Sequence, residues 1–465
     1  MEKAFIAIDM KSFYASVECV FRGLDPLKAN LLVADPTRSD QTICLAVSPS
    51  LKAKGVSSRP RLFEAKGQIK NWEARYHQQL CFLIATPRMA EYERVSARIY
   101  SIILRHVAPE DVHVYSIDES FIDCAPYLHL YRQRAAREGV EPSRLMAISI
   151  VRDILKDTGI TATVGIGTNM YLAKVAMDIV AKKMPADQDG VRIAELNEDS
   201  YRYLLWDHRP LTDFWQIGSG KATSLEKACL FTMGDVARRS LYDEEWFYKK
   251  FGIDGEILID HAWGVEPVAM RDIKTYYTDS HSLSKGQVLP RPYRFDEARL
   301  VLSEMIDVLC ADLLRQHLLS ASFTWYASYD WRSLEVCPGY DGPTCQDWYG
   351  RLHPRHNNGT ARTRVPTNSL QTIREALLMS FDETANRHLL FRRFSVSANE
   401  VAADDTPVQI DMFTDDQALE KENRFHRAML AVRSKFGLNA LFTAKNLMEG
   451  ATTLERNTQI GGHRA

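Results

Sequence analysis

The chain has 465 residues, 45% of them hydrophobic, which is enough apolar material for several packed cores and implies three or four domains. No apolar run approaches the roughly 18 residues that a membrane-spanning helix needs, and the first apolar stretch is too short for a secretory signal, so a cytoplasmic protein is expected. A formal charge of -2 does not advertise a nucleic-acid binder, and eight cysteines without a framework of close pairs imply free thiols in a reducing compartment.

Residues 4–8 form an apolar run that predicts a buried strand, with Asp9 directly after it. Ser12 is placed to N-cap a helix with Phe13, Val17, Val20 and Phe21 on one stripe. Residues 22–80 predict a small mixed region: strands at 30–34 and 42–47, then a short helix closed by Gly55. Residues 89–100 have the pattern of an amphipathic helix. Val112, Val114, Ile117, Phe121 and Ile122 suit two short strands, with Asp118 and Glu119 where they meet. Adjacent carboxylates on a strand point to opposite faces, but at a hairpin tip both can approach one point. On this stretch alone a solvated turn would look the same. With Asp9 at a second strand end, three carboxylates suit a hard cation held by oxygen, and paired Mg2+ best.

Further along, 161–167 predicts a strand, and Thr168 or Asn169 caps a helix through Leu172, Val175, Ala176 and Ile179. Gly165 and Gly167 fit neither a Walker loop nor the full dinucleotide fingerprint. Residues 186–270 look helical, and a polar run at 278–286 looks like a linker. Next come a helix at 297–314, an alternating strand at 320–326, a helix at 369–379 and a strand at 394–399, whose Phe394, Val396 and Ala398 face inward. Between them, Cys337, Cys345, His353 and His356 have zinc-ligating chemistry but lack the short Cys-x2-Cys spacing, so an exposed polar hairpin is the simpler expectation. From 420 to 465 eight Lys/Arg stand against four Glu, a balance of +4 that suits either phosphate or a solvated helix face. Between 271 and 366 twelve Lys/Arg nearly balance eleven Asp/Glu, so any basic surface there needs segregation onto one face.

The motif from Asp9 to Glu18, with Tyr115 to Glu119 about 110 residues later, resembles the catalytic core of Y-family translesion DNA polymerases. The likeness is closest to the UmuC-type branch, the catalytic subunits of DNA polymerase V and the ImpB/MucB/SamB relatives. It implies an α+β multidomain, right-handed polymerase with palm (1–21 and 80–175), fingers (22–79), thumb with a helix-hairpin-helix (176–272), linker (273–286), little finger (287–402) and C-terminal tail (403–465). It further implies error-prone copying of damaged templates in the SOS response, with dNTP substrates and two Mg2+ held by Asp9, Asp118, Glu119 and the backbone carbonyl of Met10. By the same resemblance Tyr14 is a steric gate against ribose, and Lys52 and Lys182 reach the triphosphate. Lys52 replaces an arginine common in other branches and Pro49 a tyrosine, which removes a bidentate fork and a hydroxyl from the phosphate grip. Lys182 is preferred over Lys183 across a one-residue insertion. The resemblance also assigns Ile217, Gly218, Gly220 and Lys221 to a hairpin on DNA phosphate, Ser395 and Ser397 to the DNA backbone, and Gln409, Ile410, Asp411, Met412 and Phe413 to a peptide for the bacterial sliding clamp (beta subunit).

Three rivals are weighed against this. A DinB-type DNA polymerase IV is disfavoured by Lys11, Pro49 and the long tail. An accessory protein that binds DNA and clamp has no need of three intact carboxylates, and a nucleotide cyclase would not explain the helix-hairpin-helix. Lesion type, fidelity and any need for a UmuD-like subunit or a RecA filament stay open.

Overall fold

The computed structural model describes residues 3–277, 281–405 and 416–465. They fall into two compact units, Met1–Tyr277 and Thr278–Ala465. The first is built on a five-stranded sheet in the order Val112–Val114, Glu119–Asp123, Phe5–Met10, Ala162–Gly167, Arg192–Leu196. All pairs are antiparallel except the last. Phe5–Met10 takes the centre because both its faces are apolar: Ile6 and Ile8 on one side, Phe5 and Ala7 on the other, all buried.

The helix after Gly167 sets the geometry of this sheet. Asn169 caps it, its side chain accepting from the Leu172 amide at 2.8 Å. Met170, Ala173 and Met177 then pack on Phe5, Ala7 and Phe121. The contact is so close that a Cβ at Gly165 would lie 1.9 Å from the Ala173 carbonyl oxygen, and one at Gly167 would lie 2.3 Å from the Ala173 amide. The two glycines that suggested a phosphate loop are therefore packing residues.

Several expectations need correction. Ser12 holds the N-cap position in a left-handed conformation (φ 49) without a side-chain cap bond, because its hydroxyl instead accepts from Lys52 Nζ at 2.9 Å. The first helix, Phe13–Phe21, buries Phe13 and Val17, but Val20 and Phe21 are 38% and 69% exposed. The interior position goes to Glu18, fully buried, which accepts from Arg88 Nε and Tyr92 Oη, both at 2.9 Å, and pairs with Arg22. A single hydrophobic stripe could not anticipate a carboxylate two of whose partners, Arg88 and Tyr92, lie 70 or more residues away. The small sheet in the region expected as fingers, Ala46–Val47 beside Leu31–Val33, gains a parallel strand Leu83–Ala85 from beyond residue 79. Arg192–Leu196, expected in a helical thumb, pairs with Ala162–Gly167 of the five-stranded sheet, so the helical part begins near Glu198–Leu205.

The second unit is a sheet in the order Asn357–Thr367, Leu318–Tyr329, Phe391–Asn399, Ser282–Tyr293, backed by Phe295–Arg315 and Leu370–Thr384. Phe394, Val396 and Ala398 are buried as expected. Much of the expected linker, residues 282–286, is an edge strand whose polar side chains leave backbone pairing to Ser395–Asn399 intact. The expected tail folds back: Asp416–Phe436 packs on Phe295–Arg315, and Lys445 Nζ meets Asp307 at 2.7 Å. Buried Glu304 accepts from Asn446 Nδ2 and the Thr452 amide, both at 2.7 Å. The clamp-like peptide 409–413 lies outside the described residues.

Two stability predictions follow from the packing in the first unit. Gly165→Ala should lower stability by about 1–3 kcal/mol or more, since backbone must move, whereas Gly67→Ala, in open space on Leu62–Tyr76, should be neutral or stabilising in urea unfolding. Glu18→Ala, which strands Arg88 and Tyr92, should cost about 2–4 kcal/mol in the same measurement.

Candidate active site

Antiparallel pairing sets Asp9 directly opposite Glu119, on the sheet face that carries the helix from Met170. Asp118 precedes that strand, and its carbonyl accepts from the Met10 amide at 2.9 Å. Ser116 Oγ donates to Asp118 Oδ1 at 2.8 Å, and Ser96 Oγ to the Ile117 carbonyl at 2.6 Å, which anchors the connecting loop. Three acidic side chains thus collect at one sheet edge. Burial first, then Glu119 and Asp118, push the Asp9 carboxyl up to about 7 against the pull of Lys182 and Lys174. Among the described residues no group of three or more Asp, Glu, His or Cys side chains is placed to hold a metal ion as the side chains stand. The three carboxylates are hard oxygen donors whose mutual repulsion a divalent cation would relieve, so their chemistry suits such an ion.

Basic groups stand around this edge. Lys182 Nζ is 3.9 Å from Asp9 Oδ2 and 2.8 Å from Asp178 Oδ1. Lys174, 5% exposed, sits 2.7 Å from Glu119 Oε2 and 3.0 Å from Asp178 Oδ2. Burial works against its charge, but Asp178 and Glu119 outweigh that and raise its pKa. Lys52 is lowered by burial and by Lys182 and Arg59, with Asp9 and Asp118 opposing; Lys11 is lowered by burial, Arg192 and Lys52. Lys182 thus stands at the carboxylates, while Lys52, whose Nζ donates to Ser12 Oγ, is near enough to feel Asp9 and Asp118; Arg59 neighbours Lys52, and Lys11 neighbours Lys52 and Arg192. Lys174 and Asp178 were missed, although a lysine inside the apolar run 170–177 with an acid four residues on was a usable signal. Arg59 carried no comparable one.

The chain between Lys174 and Lys182 departs from regular α-helix. Ala176–Val180 is a π-helical turn between the α-helix Met170–Val175 and the short 3-10 turn Ala181–Lys183. Such a turn accommodates one extra residue.

Tyr14 stands beside the carboxylates: burial first, then Asp118, raise its phenol. Its ring stacks on Tyr92 at 4.4 Å and 17°, and Tyr92 is itself held by Glu18. The Tyr14 ring thus has a rigid backing.

On the other side of Glu119 a cavity of about 450 Å³ is lined by Tyr115, Lys174, Trp215, Ile217 and Gly218 among others. Trp215 Nε1 donates to Tyr115 Oη at 3.1 Å. Gly218 precedes helix Ser219–Glu226, and neither it nor Gly220 has any atom within 4 Å of a Cβ position, so internal packing does not demand glycine there. Ile217 is buried in the helical core, leaving only its backbone to a ligand, and Lys221 pairs with Asp254 at 2.9 Å.

In the second unit Ser395 and Ser397 lie on the open sheet face beside Tyr326 and Thr324. Arg362 and Arg393 share that face by register, while Glu304, Asp307 and Asp312 lie on the helix behind. Cys345 Sγ is 3.5 Å from His353 Nε2 on the small hairpin Thr344–Gln346 and Leu352–Pro354, but His356 stacks on Tyr326 instead.

The chain is similar to known proteins. Residues 8–178 match the model of the impB/mucB/samB family, and residues 280–412 match the impB/mucB/samB family C-terminal domain. UvrX of Bacillus subtilis (strain 168), a UV-damage repair protein by name, is 30% identical over 100% of this chain and 98% of its own length. A protein named DNA polymerase IV 2 from the same organism is 29% identical over 99% of each chain. Its namesake in Halalkalibacterium halodurans is 26% identical over 100% of both chains. Among solved structures, a Y-family DNA polymerase chimera of Dbh and Dpo4 superposes with a TM-score of 0.59 at 17% identity, over 86% of this chain and 99% of that one. The chain belongs to the impB/mucB/samB family of Y-family translesion DNA polymerases, and its activity is that of a DNA-directed DNA polymerase.

Proposed function

We propose that this chain carries out error-prone nucleotidyl transfer opposite damaged template bases, with Asp9, Asp118, Glu119 and the Met10 carbonyl as the ligands of two Mg2+. The observation that carries this is the register of Asp9 opposite Glu119 with Asp118 tied to Met10, which sets three carboxylates near the ends of two paired strands. When bound, the ions supply a lowered pKa for the primer 3′-OH and charge neutralisation for the departing pyrophosphate. The chain's own residues do the rest. Lys52 and Lys182 hold the triphosphate, with Lys11, Arg59 and Arg192 deepening the basic field. Tyr14, braced by Tyr92, fills the place of a ribose 2′-OH. Backbone amides at Gly218 and Gly220 meet a DNA phosphate near the cavity beside Glu119, with Lys221 adding charge close by. Ser395 and Ser397, with Arg362 and Arg393, face the DNA backbone.

The peptide 409–413 is proposed as the sliding-clamp attachment, and cytoplasmic residence suits the free thiols; among the described residues no helix is long and apolar enough to cross a membrane. The assignment to the UmuC branch keeps Lys11 and Pro49 as support. The long C-terminal segment no longer separates the branches, since relatives named DNA polymerase IV 2 align through it.

Primer extension with Mg2+ and dNTPs, on an intact template and one bearing an abasic site, tests this function. Incorporation opposite the lesion, stimulated by clamp, is expected, and Asp118→Ala should reduce it at least about 10³-fold while DNA binding stays within a few fold. Persistent extension by an Asp9→Ala, Asp118→Ala double variant would sink the metal assignment. Extension that appears only with a UmuD-like subunit and RecA filament would place the chain in the UmuC branch, and unaided extension in the DinB branch. Tyr14→Ala should admit ribonucleotides at least about tenfold better, and unchanged sugar selectivity would remove its gate role.

A further inference from the structure

We infer that Lys174 is a positioning residue for polymerisation: by holding one oxygen of Glu119 it presents the other to the cation shared with Asp9 and Asp118, and Asp178 joins this support to Lys182. The inference rests on the metal-site reading above.

A buried ammonium is costly and survives only where every donor is engaged. Lys174 is 5% exposed, in a helix otherwise apolar from Met170 to Met177. Its Nζ lies 2.7 Å from Glu119 Oε2, 3.0 Å from Asp178 Oδ2 and 5.7 Å from the centroid of the Tyr115 ring. All three partners are at or near the carboxylate edge, and the bond to Glu119 spans 55 residues of chain. The helix is pressed onto the sheet at Gly165 and Gly167, so the ammonium is delivered from a rigid base.

Asp178 uses its two oxygens separately, Oδ2 for Lys174 and Oδ1, at 2.8 Å, for Lys182. Eight residues of undisturbed α-helix would turn Lys182 roughly 80° away from Lys174. The wide turn at Ala176–Val180 absorbs part of that drift, and both lysines reach one carboxylate. The result is an alternating chain, Glu119, Lys174, Asp178, Lys182, Asp9, which closes from one side of the antiparallel pair to the other.

Positioning and simple charge balance predict opposite effects on metal binding. If Lys174 only offset negative charge, its uncharged isostere would tighten cation binding; if it orients Glu119, the same change must loosen it. Mn2+ binding to the full chain is measured by electron paramagnetic resonance with Mg2+ competition, alongside single-nucleotide incorporation and thermal melting. Lys174→Met should weaken Mn2+ binding by about 10–100-fold and lower kcat comparably, with KM for dNTP within about threefold. Lys174→Arg, which keeps a donor for both carboxylates, should recover most of the metal affinity. Unchanged or tighter Mn2+ binding in a folded Lys174→Met chain overturns the inference. Should that variant fail to melt cooperatively, Asp178→Asn serves instead: a loss of Mn2+ affinity of at least about threefold is expected, and none would overturn the inference equally. Asp118→Ala is measured in parallel. If it too leaves Mn2+ binding intact, the metal-site reading falls; if it abolishes binding while Lys174→Met does not, only the role of Lys174 falls.

Discussion

Bringing Asp9, Asp118 and Glu119 together near the ends of two paired strands demands compensation, because like charges at close range in a partly buried setting repel strongly. Two answers are visible. Asp9, pushed up to about 7 by burial first and then by Glu119 and Asp118, moves toward its protonated form, and two lysines insert themselves among the carboxylates. Those lysines must come from somewhere rigid, so the helix from Met170 is pressed against the sheet at glycines, and its Lys174 is directed at Glu119. Much of the five-stranded sheet can be understood as the means of holding that helix in place.

The sequence made the acidic edge legible because strand periodicity and turn position are local. Phe5–Met10, Glu119–Asp123 and Ala162–Gly167 fall within a few residues of where their patterns put them. What stayed hidden depends on partners distant in the chain. Glu18 lay outside the apolar stripe read for its helix and is fully buried, because Arg88 and Tyr92 meet it across 70 or more residues. Ser12 looked like a helix cap and serves Lys52 instead. Arg192–Leu196 and Ser282–Tyr293 were missed as strands because one follows a polar turn and the other is an edge strand whose alternation is polar on polar.

Charge tells the same story at larger scale. The net charge of -2 counted against nucleic acid, yet in the second unit the registered open face carries Arg362 and Arg393 while acids lie on the helix behind. Part of the positive balance in 420–465 is spent inside the molecule, Lys445 on Asp307, and part of the acid in that segment caps a helix, Glu422 accepting from Ser369 Oγ at 2.7 Å. A sum over residues cannot separate charges that answer each other within the fold from those left facing outward.

The wide turn at Ala176–Val180 bears on how such a site tolerates change. An extra residue in a helix would ordinarily rotate everything beyond it by about 100°, which would swing Lys182 off Asp9 and Asp178. With a single π turn in its middle, the helix stays seated on Gly165 and Gly167 before the turn and Lys182 faces Asp178 after it. The turn is itself almost wholly apolar and buried, Ala176, Met177 and Ile179, with Asp178 the exception that points to both lysines. Helical irregularity is thus placed where packing can hold it, and the polar residue within it is the one the carboxylate edge uses.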